Sequence, residues 1–306
     1  MKLYDLLDIC KIMKIVSNNS REELAGLIEK LLAKNRIRKV YCAEGKTMMP
    51  PDANFSARDR LALPINGCHR MTIFSKGKVS EISPVRGEAT FIPEGSWNKP
   101  DWILPVTVAT FCFAPNETDI SYVKCPGGKF KERDKVSISI GKFHPDGIQA
   151  LSLMRNIFRA NPSDRRGLSA VEIILYYCLE NLKNSDEKYG KSQSLWISIR
   201  NYLDECFSSN ISRDDLASLF GISSNYLSNL FQRQSGTTFI EYINATRIKY
   251  ACMLLESTNS TLDEIALSSG FNETSYFCRV FKNKTGMQPT LYRSKARFKN
   301  SSKNSR

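Results

Sequence analysis

The sequence predicts an α+β protein in which N-terminal helices and a β-rich region precede an all-α domain. Three observations support this prediction. One unit occurs twice near the C-terminus, its copies about 50 residues apart, short β-favouring runs fill the region 59–143, and helical patterns return at 144–183. A polar, glycine-containing segment at 184–194 predicts a linker. We therefore expect an N-terminal domain at 1–183, a helical domain at 195–298 and a basic tail at 299–306.

The first 40 residues are predicted to form two helices. The second runs from Ser20 to Asn35, with Ser20 placed to cap it and Glu23 three residues further on. Its apolar stripe comprises Leu24, Leu27, Ile28, Leu31 and Leu32. The first twenty residues carry too many charges for a signal peptide, and no run approaches the roughly 20 apolar residues of a membrane span. The nine cysteines include no CxxC pair, so reduced thiols in a cytoplasmic protein are expected.

The β-rich region contains several short strand-like runs separated by Gly, Pro and Asn. These runs are RLALPI, RMTIF, KVSEIS, EATFIP, VTVATFCFA and KVSISIGKF. Their length and spacing predict a small barrel or a sandwich.

Two helices are predicted between His144 and Lys183 because apolar residues recur there at helical spacing. The first includes Ile148, Leu151, Leu153, Met154, Ile157 and Phe158, and the second Leu168, Val171, Ile174, Leu175, Tyr177, Cys178 and Leu182. The second helix is apolar enough to require a partner. Two alternatives are open: it pairs two subunits, or it packs on the β-rich region of its own chain.

The repeated unit reads as helix, glycine-containing turn, helix. Its matching pairs are Tyr226 with Tyr276, Leu227 with Phe277, Leu230 with Val280, Phe231 with Phe281, Gly236 with Gly286 and Tyr242 with Tyr292. Before Tyr226 the offset is one residue shorter, which predicts one extra residue in the turn of the second copy. A unit of this shape is the one that places a helix in a DNA major groove.

Within the first copy, Gly221 ends one helix and Ser223 is placed to cap the next. A joining helix from about Phe239 to Leu255 connects the copies. The second helix of each copy has a polar outer face of short side chains, amides and cations. These faces comprise Ser224, Asn225, Ser228, Asn229 and Gln232 in the first copy, and Thr274, Ser275, Cys278, Arg279 and Lys282 in the second. Such faces can approach phosphates and base edges, and the net charge of +13 favours a polyanionic partner.

The segment Ile211–Phe298 resembles the DNA-binding domain of the AraC/XylS family of bacterial transcription regulators. The resemblance rests on DLASLFGISSNYLSNLFQ, EYINATRIKYACMLL and LDEIALSSGFNETSYFCRVFKNKTGMQPTLYR. It implies a sequence-specific DNA-binding regulator, more often an activator than a repressor, that contacts RNA polymerase. It also implies a cupin-like barrel at about 59–143 and dimerisation through helices at about 144–183. Family members often carry Arg at the position of Asn229, which implies a weaker hold by the first copy.

Other functions are less well supported by the sequence. The chain has only His69 and His144, so no metal or cofactor is expected, and no catalytic grouping indicates an enzyme. Four aromatic residues are candidates for an effector pocket or simply for the core: Phe91, Trp97, Trp102 and Phe111. One alternative function is an effector- or partner-sensing protein that acts as a repressor or antagonises another regulator. A second is a metabolic-sensor or partner-binding protein whose repeat serves only for packing.

Overall fold

The computed structural model describes residues 18–34, 37–45, 47–50, 52–114, 117–128, 134–161, 164–184 and 191–304. The first predicted helix lies outside these residues, as does most of the predicted linker. The second predicted helix is present as α1, Asn18–Lys34, and it begins before the expected Ser20. None of the helices in these ranges is long and apolar enough to cross a membrane.

Ten strands, counted over the residues that the structure describes, form the β-rich region. They are β1 (Lys39–Cys42), β2 (Asn54–Phe55), β3 (Asp59–Gly67), β4 (Met71–Ser75), β5 (Lys78–Ile82), β6 (Glu88–Ile92), β7 (Trp97–Pro100), β8 (Val106–Phe113), β9 (Thr118–Cys125) and β10 (Asp134–Gly141). A six-stranded sheet has the order β1-β6-β3-β8-β9-β10, and a four-stranded sheet has the order β2-β7-β4-β5. Only β1 and β6 pair in parallel among these neighbours. The described strands thus form two sheets rather than one closed ladder, so the cupin-like barrel is not confirmed.

Side chains alternate along each strand of the six-stranded sheet, so one face is apolar and the opposite face carries both polar and apolar side chains. The apolar face packs against helices in a large apolar core, which we call the main core. On β3, Leu61 and Leu63 enter the main core, while Arg60 lies on the opposite face. On β8, Phe111 enters the same core, while Thr110 faces the other way. The face of the six-stranded sheet that carries Arg60 and Thr110 is therefore buried as well, beneath the four-stranded sheet and a later helix.

Helices α2 (Pro145–Ala160) and α3 (Arg165–Asn184) cover the apolar face together with α1. The predicted stripe of the second helix is buried there, since Val171, Ile174 and Leu175 are all inaccessible to solvent. Packing within the chain accounts for this stripe. The role of the two helices in pairing subunits is therefore not confirmed.

Seven helices, counted over residues 191–304, form the C-terminal region. They are α4 (Lys191–Cys206), α5 (Arg213–Leu219), α6 (Ser224–Ser235), α7 (Phe239–Ser257), α8 (Leu262–Ser268), α9 (Thr274–Thr285) and α10 (Pro289–Asn304). The joining helix predicted from Phe239 is α7, and it buries Ile243, Ile248 and Leu254 as its periodicity predicts. Helix α10 continues through residues predicted as the basic tail.

The two regions share buried contacts. Phe55 of β2 packs edge-on against Phe207 and Tyr250, with ring centroids 5.5 Å and 5.0 Å away. The Met49 backbone N–H donates to the Tyr250 hydroxyl at 2.9 Å, and Lys249 donates to the Ala57 carbonyl at 2.6 Å. Met49, Phe55 and Ala57 therefore pack in the core of the helical region, although the sequence places them in the N-terminal domain.

A buried group of charges, which we call the ionic cluster, joins α4 to the six-stranded sheet. Its members are Arg58, Glu117, Asp119, Arg200 and Asp204. Arg58 lies 2.6 Å from Asp119 and 3.0 Å from Asp204, while Arg200 lies 2.6 Å from Asp119. Burial raises the pKa of the Asp119 carboxyl, but the two guanidiniums outweigh it and hold the pKa below its ordinary value.

Candidate nucleic-acid interface

The two copies of the repeated unit fold as the sequence predicts, with helices α5 and α6 in the first and α8 and α9 in the second. The turn spans residues 220–223 in the first copy and 269–273 in the second. The extra residue in the second turn is thus confirmed. Ser223 is the predicted cap of α6, and its hydroxyl accepts from the Tyr226 backbone N–H at 3.2 Å.

The turn glycines adopt the left-handed conformation but differ in their surroundings. Gly221 has φ +63° and open space where a side chain would begin, whereas Gly270 has φ +85°. A Cβ on Gly270 would lie 2.8 Å from the Cα of Ser208. The second turn therefore requires glycine both for its backbone conformation and for its close approach to the chain after α4.

The second helix of each copy, α6 or α9, is called here its recognition helix. At its start, each recognition helix donates a hydrogen bond to a carboxylate on the preceding helix. The Ser224 hydroxyl donates to Asp214, and the Thr274 hydroxyl donates to Asp263. Donation from Ser224, and then the charge of Arg213, lower the pKa of the Asp214 carboxyl. The periodicity of the outer faces does not reveal these two carboxylates, because they lie on another helix of each copy. In the sequence they appear only as a matching pair, Asp214 and Asp263, which has the same spacing as the other pairs before Tyr226.

The remaining predicted contact residues divide by exposure. The exposed ones are Asn225, Asn229, Gln232, Ser275, Arg279 and Lys282. Ser228 is half-buried and its hydroxyl donates to the Ser224 carbonyl at 2.9 Å, while Cys278 is half-buried. Burial raises the pKa of the Cys278 thiol, which keeps the sulfur protonated at neutral pH. The exposed groups on each helix form one continuous outer face.

The inner faces explain why these residues point outward. Leu227, Leu230 and Phe231 of α6 are fully buried, and Phe277 and Phe281 of α9 are fully buried in the same core. Because a helix completes a turn every 3.6 residues, the side of each helix opposite this buried stripe faces solvent, and that side carries Asn225 and Asn229 on α6 and Ser275 and Arg279 on α9.

Arg279 is held by an aromatic ring in the second copy. Its guanidinium carbon lies 5.2 Å from the centre of the Tyr276 ring, and Tyr276 accepts from the Asn244 amide at 3.2 Å. Arg279 and Ser275 also border an open cleft of about 660 Å³ at the start of α9. Arg233 lies in a similar way over Tyr226, at 5.9 Å, and the sequence analysis did not include it among the contact residues. Both copies therefore present an arginine steadied by a tyrosine.

The four aromatic residues predicted for an effector pocket do not come together. Phe91 and Phe111 are buried in the main core on the apolar face of the six-stranded sheet. Trp97 is buried and donates its ring N–H to the Thr47 hydroxyl at 2.9 Å. Of the four, only Trp102 borders the cavity between the two sheets. No group of three metal-ligating side chains occurs in the ranges that the structure describes.

Comparison with known proteins places the repeated unit among helix-turn-helix domains, whose family model matches residues 216–295. The chain is 30% identical over 263 residues to the HTH-type transcriptional regulator YijO of Escherichia coli (strain K12), covering 84% of this chain and 88% of YijO. It is 28% identical to the regulator YpdC of the same strain, covering 70% of this chain and 75% of YpdC. A Chromobacterium violaceum transcriptional regulator structure, described as AraC-type, is 26% identical with a TM-score of 0.33, covering 34% of this chain and 94% of that one.

Proposed function

Because the chain belongs to the AraC family of helix-turn-helix transcription regulators, we propose that it binds a specific DNA sequence with α6 and α9 together. The observation that carries this proposal is the pair of outward polar faces on two helices built on one core. The two helices would enter major-groove segments about one helical turn apart, roughly 34 Å along the duplex. One DNA-binding region would then cover an asymmetric site.

The exposed side chains suggest distinct tasks within that site. Asn225, Asn229 and Gln232 offer amides that suit adenine edges, while Arg279 suits guanine. Ser224 and Thr274 already donate to carboxylates, so we propose that they position the helices and accept contacts only secondarily. Lys282 supplies charge for the phosphate backbone.

We further propose that the protein activates transcription in the bacterial cytoplasm and contacts RNA polymerase. The support is family membership alone. Repression, or antagonism of another regulator, remains the alternative. A promoter reporter driven by the bound site distinguishes them, since activation predicts lower output when the gene is deleted and repression predicts higher output.

A homodimer is proposed from the outer surfaces of α2 and α3. After their inner faces are buried in the main core, large apolar side chains remain exposed: Ile148, Leu153, Ile173 and Tyr176. A second copy of the chain would cover them and would bring two DNA-binding regions to adjacent sites, which raises affinity through effective concentration.

Genome-wide occupancy, measured by crosslinking the full chain to DNA in the cell, tests the proposed function. Sequence-specific binding predicts one enriched motif at the occupied sites. Occupancy without any shared motif would instead favour the alternative, in which the repeat serves only for packing.

A further inference from the structure

A cavity lined by both polar and apolar side chains lies between the two sheets, on the face of the six-stranded sheet that points away from the main core. Its volume is about 50 Å³. Arg60, Thr110 and Ser121 border it from the six-stranded sheet, and Asn98 borders it from β7. Side chains alternate between the two faces along each strand, and this alternation places Arg60, Thr110 and Ser121 at the cavity.

Three side chains around the cavity are buried without satisfying their polar atoms. Arg60 and Asn98 are 6% exposed, and His69 is 3% exposed. Over the described residues, the Arg60 Nε, both ring nitrogens of His69 and the Asn98 Oδ1 have no hydrogen-bond partner. Native proteins leave few buried groups in this state, and each one requires an explanation such as a bound molecule. Three such groups around one cavity point to a ligand.

The charges around the cavity indicate the sign of that ligand. Lys135 borders the cavity but forms an ion pair with Glu205 at 2.7 Å. The nearby acids Asp119 and Asp204 are bound to the arginines of the ionic cluster. In the described ranges no ion pair joins Arg60 to an acid and its buried Nε N–H has no hydrogen-bond partner, so the guanidinium can donate to an anion.

His69 contributes a neutral polar group. Burial lowers the pKa of its imidazole to about 4, so near neutral pH the ring offers one N–H donor and one acceptor. The ring lies against Trp102, with centroids 5.2 Å apart, which fixes its plane. Together with the Asn98 carbonyl oxygen, the site provides a cationic donor and two oriented neutral groups.

We propose that this cavity binds a small carboxylate, with Arg60 holding the carboxylate and His69 and Asn98 contacting the rest of the molecule. Arginine matches a carboxylate with two parallel hydrogen bonds. At ~10–15 Å³ for each water-sized occupant, the cavity holds roughly three to five non-hydrogen atoms, a range that includes acetate and propionate. The ligand is therefore a short monocarboxylic acid.

The cavity also reaches the DNA-binding region. Asn201 and Glu205 of α4 border it. Asn201 accepts from Arg58 at 2.7 Å and donates to Asp119 at 3.0 Å, so the same side chain touches both the cavity and the ionic cluster. Occupancy would change how α4 is held against the sheet, and hence the DNA affinity. This coupling rests on the proposed function, whereas carboxylate binding does not.

Calorimetric titration of the full chain with acetate and propionate tests the binding, with acetamide and propionamide as uncharged matches of the same shape. We expect a Kd in the ~millimolar range for one or both acids, as befits ligands this small, and no binding of the amides. Equal binding of acids and amides would overturn the proposal. If inorganic phosphate binds but neither acetate nor propionate does, the proposal is overturned as well.

Two variants connect the binding to the cavity. Arg60→Gln should weaken acid binding by ~10-fold or more, the equivalent of one charged hydrogen bond. Arg86→Gln removes an exposed arginine elsewhere and should leave the Kd unchanged. If Arg60→Gln does not fold, Asn98→Asp provides the second test. It places a carboxylate inside the cavity and should abolish acid binding without lowering Tm. Unchanged acid binding in the folded variant would overturn the assignment.

DNA binding, measured on the same preparations with and without acid, separates the two proposals. A shift in DNA affinity of ~5-fold or more with acid present, lost in Asn98→Asp, would support the coupling through α4. Acid binding with no change in DNA affinity would overturn the coupling alone. Acid binding without any sequence-specific DNA binding would contradict the proposed function and leave the carboxylate site standing.

Discussion

At the scale of single residues, Arg279 is the side chain on which base recognition is expected to depend most. It is exposed on the outer face of α9, and the Tyr276 ring limits its freedom before DNA binds. Arg279→Ala should weaken binding to the cognate site by about 1–3 kcal/mol and relax preference at one base pair. Titrations of cognate and single-substituted duplexes by fluorescence anisotropy would measure both effects.

Arg233→Ala is the matched comparison, because Arg233 lies over a tyrosine of α6 in the same manner. Its side chain lies beside the predicted reading face, so its removal should lower affinity about equally for every duplex. An Arg279→Ala variant that loses affinity equally for cognate and random DNA would identify Arg279 as a phosphate contact instead.

At the scale of elements, the turns of the two copies should differ in their tolerance of a side chain. Gly221→Ala introduces only the left-handed strain, about 1–2 kcal/mol. Gly270→Ala adds the collision with Ser208, so its free energy of unfolding should be lower by a further ~1–3 kcal/mol. Urea unfolding of both variants, followed by circular dichroism, would show the order. Equal losses would mean that the chain after α4 yields freely to the new methyl group.

The helices of the repeat were predictable from sequence because their apolar spacing is regular and their caps are local. Ser223, Gly236 and Gly286 occupy the cap positions that their types favour. The strands were harder. β7 contains Asn, Lys and Pro, which strands generally avoid, and β9 carries Asp119 and Ser121 on a buried face. Polar residues in these positions normally indicate solvent, so the pattern does not reveal an internal cavity.

The candidate contact residues followed from the same periodicity, which assigns the outer face of each helix. The role of Ser224 and Thr274 did not follow, because it depends on carboxylates from another helix. The four aromatic residues predicted for an effector pocket or the core are distributed for a physical reason. Aromatic side chains such as Phe91 and Phe111 filled the main core, whereas the cavity lies on the opposite face of their sheet.

At the scale of the whole molecule, the ionic cluster should fix the helical region against the six-stranded sheet. Asp119→Asn removes the carboxylate that two buried guanidiniums share, leaving Arg58 with Asp204 and Arg200 with Glu117, and should lower the free energy of unfolding by about 1.5–3 kcal/mol. Glu29→Gln breaks the exposed ion pair with Lys183 and should change the free energy of unfolding by less than about 1 kcal/mol. A loss for Asp119→Asn no larger than for Glu29→Gln would contradict the structural role of the cluster.

The same carboxyl gives a pH dependence. The folded pKa of Asp119 is below its ordinary value, so its contribution is complete above the unfolded pKa of about 4 and is lost as pH falls through the folded pKa. Thermal melts should therefore show Tm falling below about pH 4, with a smaller fall in Asp119→Asn. Identical acid profiles for the two proteins would exclude Asp119 as a source of this loss.

The proposed homodimer is tested by a charge on its exposed apolar surface. Tyr176→Glu should convert a dimer to a monomer in analytical ultracentrifugation, because Tyr176 is 58% exposed and lies on the face of α3 opposite the core. Val79→Glu is the control, since Val79 is 62% exposed on β5, away from that surface. A wild-type chain that sediments as a monomer at all concentrations would reject the dimer outright.

Hydroxyl-radical footprinting, combined with methylation interference on a bound site, is the most direct measurement of the central claim. Two recognition helices predict guanine contacts in two major-groove segments about one helical turn apart, near 10 base pairs, on one face of the duplex. Substitutions on α6 should remove one segment and substitutions on α9 the other. Contacts confined to a single segment, unaffected by changes on either helix, would contradict binding by two recognition helices.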